Sequence, residues 1–277
     1  MSVSGGGEGG SGRTSGAVAL CMGGSQNPHN TQGASTDGLS YMGRRDSMPL
    51  PDILKDVQAF RAMLEEERVE CARPFVGKEG SGSLTKRLFL GKLQQLVSDK
   101  TKTLFILYWA GHGYDGNGNL AMEGGEEISL QDIIRTWGER PNKQRPNPQR
   151  LIWVADSCHS GALVQSLKAI PADKRKTLNI GIQAACHASE VSMGTVFTKA
   201  FTLRQLKDKK FVWKATYDKN PSQFDENYQE GTALGPGAHS MQHPTFYHTW
   251  NKDQFKGGSE MDFKFFERRP DASCVPA

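Results

Sequence analysis

Along most of the chain, continuous apolar runs alternate with stretches of helical periodicity. AVALCMGG (17–24), TLFILYWAGHG (103–113), RLIWVADSCHSG (150–161) and LNIGIQAACHAS (178–189) are apolar segments closed by small polar residues. Runs of this length predict buried strands. Between them, Ile53, Leu54, Val57, Phe60, Met63 and Leu64 recur at helical spacing behind Pro51, and Leu84, Leu88, Leu93, Leu96 and Val97 do so again. Ser129 with Asp132 three residues later has the form of a capping box, opening a helix through Leu130, Ile133, Ile134 and Trp137. Val196, Phe197, Ala200, Phe201 and Leu206 predict another helix, and VECARPFV (69–76) and HPTFYHTW (243–250) further strands. Strands alternating with helices imply βαβ units: an α/β fold with a mainly parallel sheet and helices on both faces.

Three segments break the alternation. Residues 1–16 are Gly-rich and of low complexity and predict a disordered tail. Residues 25–49 and 218–240 carry Asn, Gly, Ser, Thr and Gln without periodicity and read as loops. The folded domain is therefore expected over 17–260, with the 25–49 loop inserted and a C-terminal tail at 261–277. A chain of 277 residues can bury a sizeable core.

Charge and cysteine usage narrow the function classes. The net charge of +4 comes from 34 basic residues scattered among 30 acidic ones. No basic stripe forms, which excludes a dedicated nucleic-acid binder. No apolar run approaches the roughly 20 residues of a membrane span, so the expectation is a cytoplasmic protein. Five cysteines (21, 71, 158, 186 and 274), odd in number and widely spaced, fit reduced thiols better than a disulfide framework.

Candidate chemistry sits where the strands end. Three apolar runs finish in Gly111-His112-Gly113, Ser157-Cys158-His159 and Cys186-His187-Ala188-Ser189-Glu190. A parallel sheet gathers its C-terminal strand ends along one edge, where open α/β sheets bind ligands. That order brings the His112 imidazole and the Cys158 thiol to one rim. The thiolate is the nucleophile, and a nearby imidazole can take its proton and later protonate a leaving amine. The N–H groups of Gly113 and Cys158 are the natural donors to a tetrahedral oxyanion. A helix beginning near Gly161 would favour the thiolate further. A lone thiol or imidazole at a strand end is more often structural; the conjunction is rarer. The competing chemistry is a zinc site built from Cys158-His159, Cys186-His187 and His112. Adjacent residues in an extended segment point to opposite sides, so the spacing suits zinc poorly. His159 is expected to face solvent and His187 to wall the pocket.

At YWAGHG and DSCHSG the sequence resembles the caspase-like cysteine peptidases, metacaspases in particular. His112 lies 46 positions before Cys158, near the caspase His-to-Cys spacing of about 50. Ala155-Asp156-Ser157 before the thiol differs from the caspase Gln-Ala-Cys form and favours the metacaspase-like branch. LPDILKDVQAFRAMLEEE, DGNGNLAMEGGEEISLQDIIRTW, GTVFTKAF and QHPTF are similar to other family segments, so the resemblance covers about 17–250. It implies a three-layer α/β/α sandwich with a six-stranded, mainly parallel sheet. A large-subunit-like part would run to about 170 and a small-subunit-like part from about 177. It further implies a thiol protease: a cysteine-type endopeptidase hydrolysing peptide bonds through a His112–Cys158 dyad and an acyl-enzyme. The alternative is a catalytically weak scaffold of the same fold.

The resemblance also supplies the substrate pocket. Metacaspases line it with acids that select Arg or Lys. Asp56 matches one such position, and the second acid falls near Ala188 or Ser189, with Glu190 adjacent. Ala110 stands where the family often has Ser. Asp156 is expected to be ordered by hydrogen bonds at the strand end rather than to act as a third catalytic member. Lys174-Arg175-Lys176 is a solvated basic loop or a self-processing site between the two parts. The family's calcium site uses an acidic cluster after the Cys motif, where this chain supplies only Asp173. The expected chemistry therefore needs no cofactor and no metal, with calcium left open. The expected partners are protein or peptide substrates acted on by a monomer.

Overall fold

The computed structural model describes residues 17–24, 52–66, 69–77, 84–122, 125–141, 149–192, 195–199, 201–202 and 244–249. The tails at 1–16 and 261–277, the loops at 25–49 and 218–240, and Cys274 lie outside the described residues. In chain order the elements are β1 (Ala17–Gly24), α1 (Ile53–Glu66), β2 (Glu70–Cys71), β3 (Phe75–Gly77), α2 (Lys86–Val97), β4 (Leu104–Gly111), β5 (Leu120–Ala121), β6 (Glu127–Ile128), α3 (Leu130–Gly138), β7 (Arg150–Asp156), α4 (Gly161–Ala169), α5 (Ala172–Arg175), β8 (Ile180–Ala184) and β9 (Thr245–His248). Residues 196–199 are also helical.

The main sheet runs β2-β1-β4-β7-β8-β9, with β3 also pairing β1. All its pairs are parallel except β8 with β9. It has six ranks but seven strands, because the outer rank beside β1 is broken between Cys71 and Phe75. Pro74 lies in that gap and has no N–H to give the ladder. The sequence reads this stretch as one strand; the structure splits it. β5 and β6 form a separate antiparallel pair after His112.

Helices cover both faces, as the alternation predicts. On one face α2, α3 and α4 pack on Leu20, Met22, Leu107, Trp109, Leu151 and Trp153. On the other, α1 with Phe197 and Phe201 packs on Ala19, Cys21, Ile106, Tyr108, Ile152 and Val154. β4 and β7 are buried on both faces, so each reads as an unbroken apolar run. The capping box forms: the Ser129 hydroxyl accepts from the Asp132 N–H while the Asp132 carboxylate accepts from the Ser129 N–H. No described helix is long and apolar enough to cross a membrane.

Two close backbone contacts hold the rim where the strands end. A Cβ on Gly113 would lie 2.2 Å from the Cys158 carbonyl oxygen, so any side chain there pushes the β4 and β7 ends apart. A Cβ on Gly161 would meet backbone atoms of residues 186–188 at 2.6–2.7 Å, so glycine lets α4 begin flush against the β8 end. By contrast Gly91, inside α2, has open space around its Cα.

Two stability changes of opposite sign follow. Gly113→Ala should destabilise by about 1–3 kcal/mol, through overpacking against fixed backbone. Gly91→Ala should stabilise by about 0.5–1 kcal/mol, by removing unfolded-state freedom in a helix interior. Urea unfolding midpoints at constant slope measure both. An unchanged midpoint for Gly113→Ala would mean the two strand ends do not touch.

Candidate active site

The sheet register brings His112 to Cys158. Ala110 pairs with Asp156, so the residues two further on, His112 and Cys158, emerge side by side from adjacent strands. Ile106, Tyr108 and Ala110 on β4, and Ile152 and Val154 on β7, all face α1. His112 directly follows the end of β4, and Cys158 lies in the turn after β7. The contact between Gly113 and the Cys158 carbonyl fixes the spacing. His112 is buried, whereas Cys158 is half-exposed and its thiol donates to the Ser192 carbonyl at 3.7 Å.

The other described thiols are set up differently. Burial raises the Cys21 and Cys186 thiols above the usual range. Burial and the nearby Glu65 push Cys71 up to about 11. Cys186 donates to the carbonyls of Ser157 and Glu190 and packs on the Ser160 hydroxyl, a structural role.

Gly113 bridges to Leu120 through the His112 carbonyl, which accepts from Ala121, and the Tyr114 N–H, which donates to Asn119. That bridge does not use the Gly113 N–H, and Cys158 lies in the turn that leads into α4.

Close to Cys158 in the chain lies a buried acid pair. Asp56 comes from the first turn of α1 and Asp156 from the end of β7, and both are buried. Desolvation raises Asp156 to about 6, against the pull of hydroxyl donors from Thr198 and Ser192, both at 2.7 Å. Desolvation, then the charge of Asp156, raises Asp56 to about 7, partly offset by the Thr195 N–H at 3.2 Å. The repulsion falls on Asp56 because Asp156 holds the stronger donors. Thr198 in turn takes a hydrogen bond from the buried Tyr108 hydroxyl. Among the described residues no Lys or Arg is ion-paired with either acid.

Thr195, a β-branched residue, has a left-handed backbone, φ 65°, where it reaches Asp56. Such conformations cost about 1–3 kcal/mol and collect at ligand clamps. Ser192, Thr195 and Thr198 went unrecognised in the sequence. The one available signal was Thr198, a hydroxyl inside the apolar face of GTVFTKAF.

Several expectations are placed elsewhere. Ser189 and Glu190 lie in the turn after β8, where Ser189 is exposed and meets the His187 ring. The Glu190 carboxylate accepts from the His187 N–H, so the acid that partners Asp56 is Asp156. Ala110 is buried under α1 and completes the wall. Neither His159 nor His187 is placed as expected: His187 is exposed, and His159 is buried with φ 57°. The His159 N–H donates to the Glu190 carbonyl, and its Nδ1 donates to Ala188 at 3.0 Å, with Asp115 at 3.4 Å. These bonds tie the loop after β7 to those on either side. The two Cys-His pairs therefore do not converge, and no group of three His, Cys, Asp or Glu side chains among the described residues could hold a metal ion. Lys174 and Arg175 lie in the four-residue α5, not in an open loop, with Lys176 capping it. Arg175 donates to the Lys168 carbonyl, and both side chains lie over the Tyr247 ring.

No family model and no curated protein matches the sequence. Solved structures do match. The Drosophila initiator caspase Dronc superposes with a TM-score of 0.55 at 11% identity, over 84% of this chain and 79% of that one. Caspase-1 from Spodoptera frugiperda superposes with a TM-score of 0.52 at 11% identity, over 86% of this chain and 88% of that one. The chain has a caspase-like α/β/α fold.

Proposed function

We propose that this chain is a cysteine endopeptidase, metacaspase-like in its preference, that cuts peptide bonds after Arg or Lys. One observation carries the reading: β4 and β7 end side by side just before His112 and Cys158, next to a buried acid pair made by Asp156 at the end of β7 and Asp56 from α1. The Cys158 sulfur attacks the scissile carbonyl as His112 takes its proton, and the N–H groups of Gly113 and Cys158 hold the oxyanion. His112 then protonates the leaving amine, and water attacks the thioester with His112 as base. Two buried acids, neither of them ion-paired with a Lys or Arg among the described residues, are costly to the fold unless a ligand brings the counter-charge. An arginine or lysine side chain before the cut would supply it. The reading extends to a cytoplasmic monomer acting on protein or peptide substrates without a cofactor. The self-processing proposal also stands: α5 would have to unwind and Arg175 leave Tyr247 before the Lys174–Lys176 stretch could lie extended in a cleft.

Peptides with Arg or Lys before the cut should be hydrolysed and their Asp counterparts spared. Cys158→Ala and His112→Ala should each lose on the order of a thousandfold or more in kcat/KM. A well-folded wild type that cuts none of these peptides would leave the scaffold reading instead.

Acid should weaken the pocket, because protonating Asp56 and then Asp156 removes the charge that a cationic side chain needs. The kcat/KM for an Arg peptide should therefore fall as pH drops through about 7 to 6. The stability effect has the opposite sense. Both acids bind protons more tightly folded than unfolded, so they cost stability as pH rises from their unfolded range through about 7. Asp56→Asn keeps an acceptor for the Thr195 N–H; it should raise the melting temperature more at about pH 8 than at about pH 5, while raising KM for Arg peptides. A lower melting temperature at both would contradict the assignment.

For self-processing, wild type on incubation should acquire a cut within 168–176, faster in Tyr247→Ala. Equal cleavage in Cys158→Ala would assign the cut to another protease.

A further inference from the structure

We propose that Ser192 is a positioning residue that couples the occupancy of the acid pocket to the state of the nucleophile. The proposal rests on the reading of the site as a peptidase for basic residues, and adds how that site is switched on.

Ser192 reaches both halves of the site at once. Its hydroxyl donates to Asp156 Oδ1 at 2.7 Å, and its carbonyl accepts the Cys158 thiol at 3.7 Å. Each Asp156 oxygen already accepts one hydroxyl, Oδ1 from Ser192 and Oδ2 from Thr198, so a guanidinium forking onto the carboxylate competes with both. A carbonyl oxygen only accepts, so its contact with Cys158 exists for S–H and not for a thiolate. The contact thus favours the S–H form of Cys158, with Asp156 helping to hold the residue that makes it.

A guanidinium entering the pocket binds carboxylate oxygens through charge-assisted hydrogen bonds, stronger than the neutral hydroxyl it displaces. Ser192 then loses its hydroxyl bond to Asp156, and its carbonyl shifts beside the thiol. The proton passes from Cys158 Sγ to a ring nitrogen of His112, giving thiolate and imidazolium. No covalent bond is made or broken beyond that transfer. A substrate without a cationic side chain leaves Ser192 in place, so the same contact adds discrimination at the chemical step as well as at binding.

The test uses the full chain, iodoacetamide as a neutral alkylating probe, and ethylguanidinium as a pocket ligand with no reacting group. Calorimetry follows binding of ethylguanidinium, and mass spectrometry of the Cys158 peptide follows alkylation. In wild type, saturating ethylguanidinium should accelerate Cys158 alkylation several-fold. In Ser192→Ala the unliganded rate should already be raised and the acceleration should vanish. Ser192→Thr, which keeps the hydroxyl, should restore it. A through-space effect of the bound cation on the thiolate would survive intact in Ser192→Ala, and that result overturns the proposal. So does binding that leaves the wild-type rate unchanged or lower. If ethylguanidinium does not bind at all, the pocket reading itself fails, and the coupling with it.

Discussion

The register of β4 on β7 is the constraint on which the site depends. Both strands are buried on both faces, and the two faces want different shapes. Trp109 and Trp153 fill the side under α2, α3 and α4, while Ala110 and Asp156 leave room under α1. A slip of one residue would exchange those faces along the whole strand. It would drive indoles toward α1 and an acid into the larger core. The same slip would break the match of Ala110 with Asp156, two residues before His112 and Cys158. The burial that stabilises the fold therefore also fixes which side chains can meet at its edge.

At that edge the molecule accepts local costs. Two acids are kept where desolvation raises both, a β-branched residue is held with a left-handed backbone, and glycine is needed where strand ends approach within backbone contact. None of these helps the core. Hydroxyl donors from Thr198 and Ser192, backed by Tyr108, hold Asp156 without neutralising it. An ion pair with a resident lysine would have been a simpler way to stabilise two carboxylates, but it would fill the space a ligand needs.

Much of this was legible in the sequence because it rests on pattern. Unbroken apolar runs identified β1, β4, β7 and β8, and parallel packing then required their ends, with His112 and Cys158, to share a rim. What escaped depends on contacts between distant segments. Nothing in LKDVQAF says that Asp56 meets Asp156 rather than Glu190; that follows from how α1 crosses the sheet. Ser192 and Thr195 are ordinary loop residues until the segment after β8 folds back over Asp156 and Asp56. His159 looked exposed because it is polar and follows a strand, but its left-handed turn buries it between two loops. The break between β2 and β3 was missed although Pro74 stands at it, and α5 is too short for periodicity to register.

The central claim is that Cys158 and His112 act as one nucleophilic unit beside a pocket for a cationic side chain. Covalent capture tests it most directly, using an arginyl peptide chloromethyl ketone and locating the adduct by mass spectrometry. The account predicts one adduct per chain, at Cys158, forming far more slowly in His112→Ala and with the matching aspartyl reagent. Adducts spread over Cys71 and Cys158 alike, or capture at Cys158 indifferent to both changes, would contradict it.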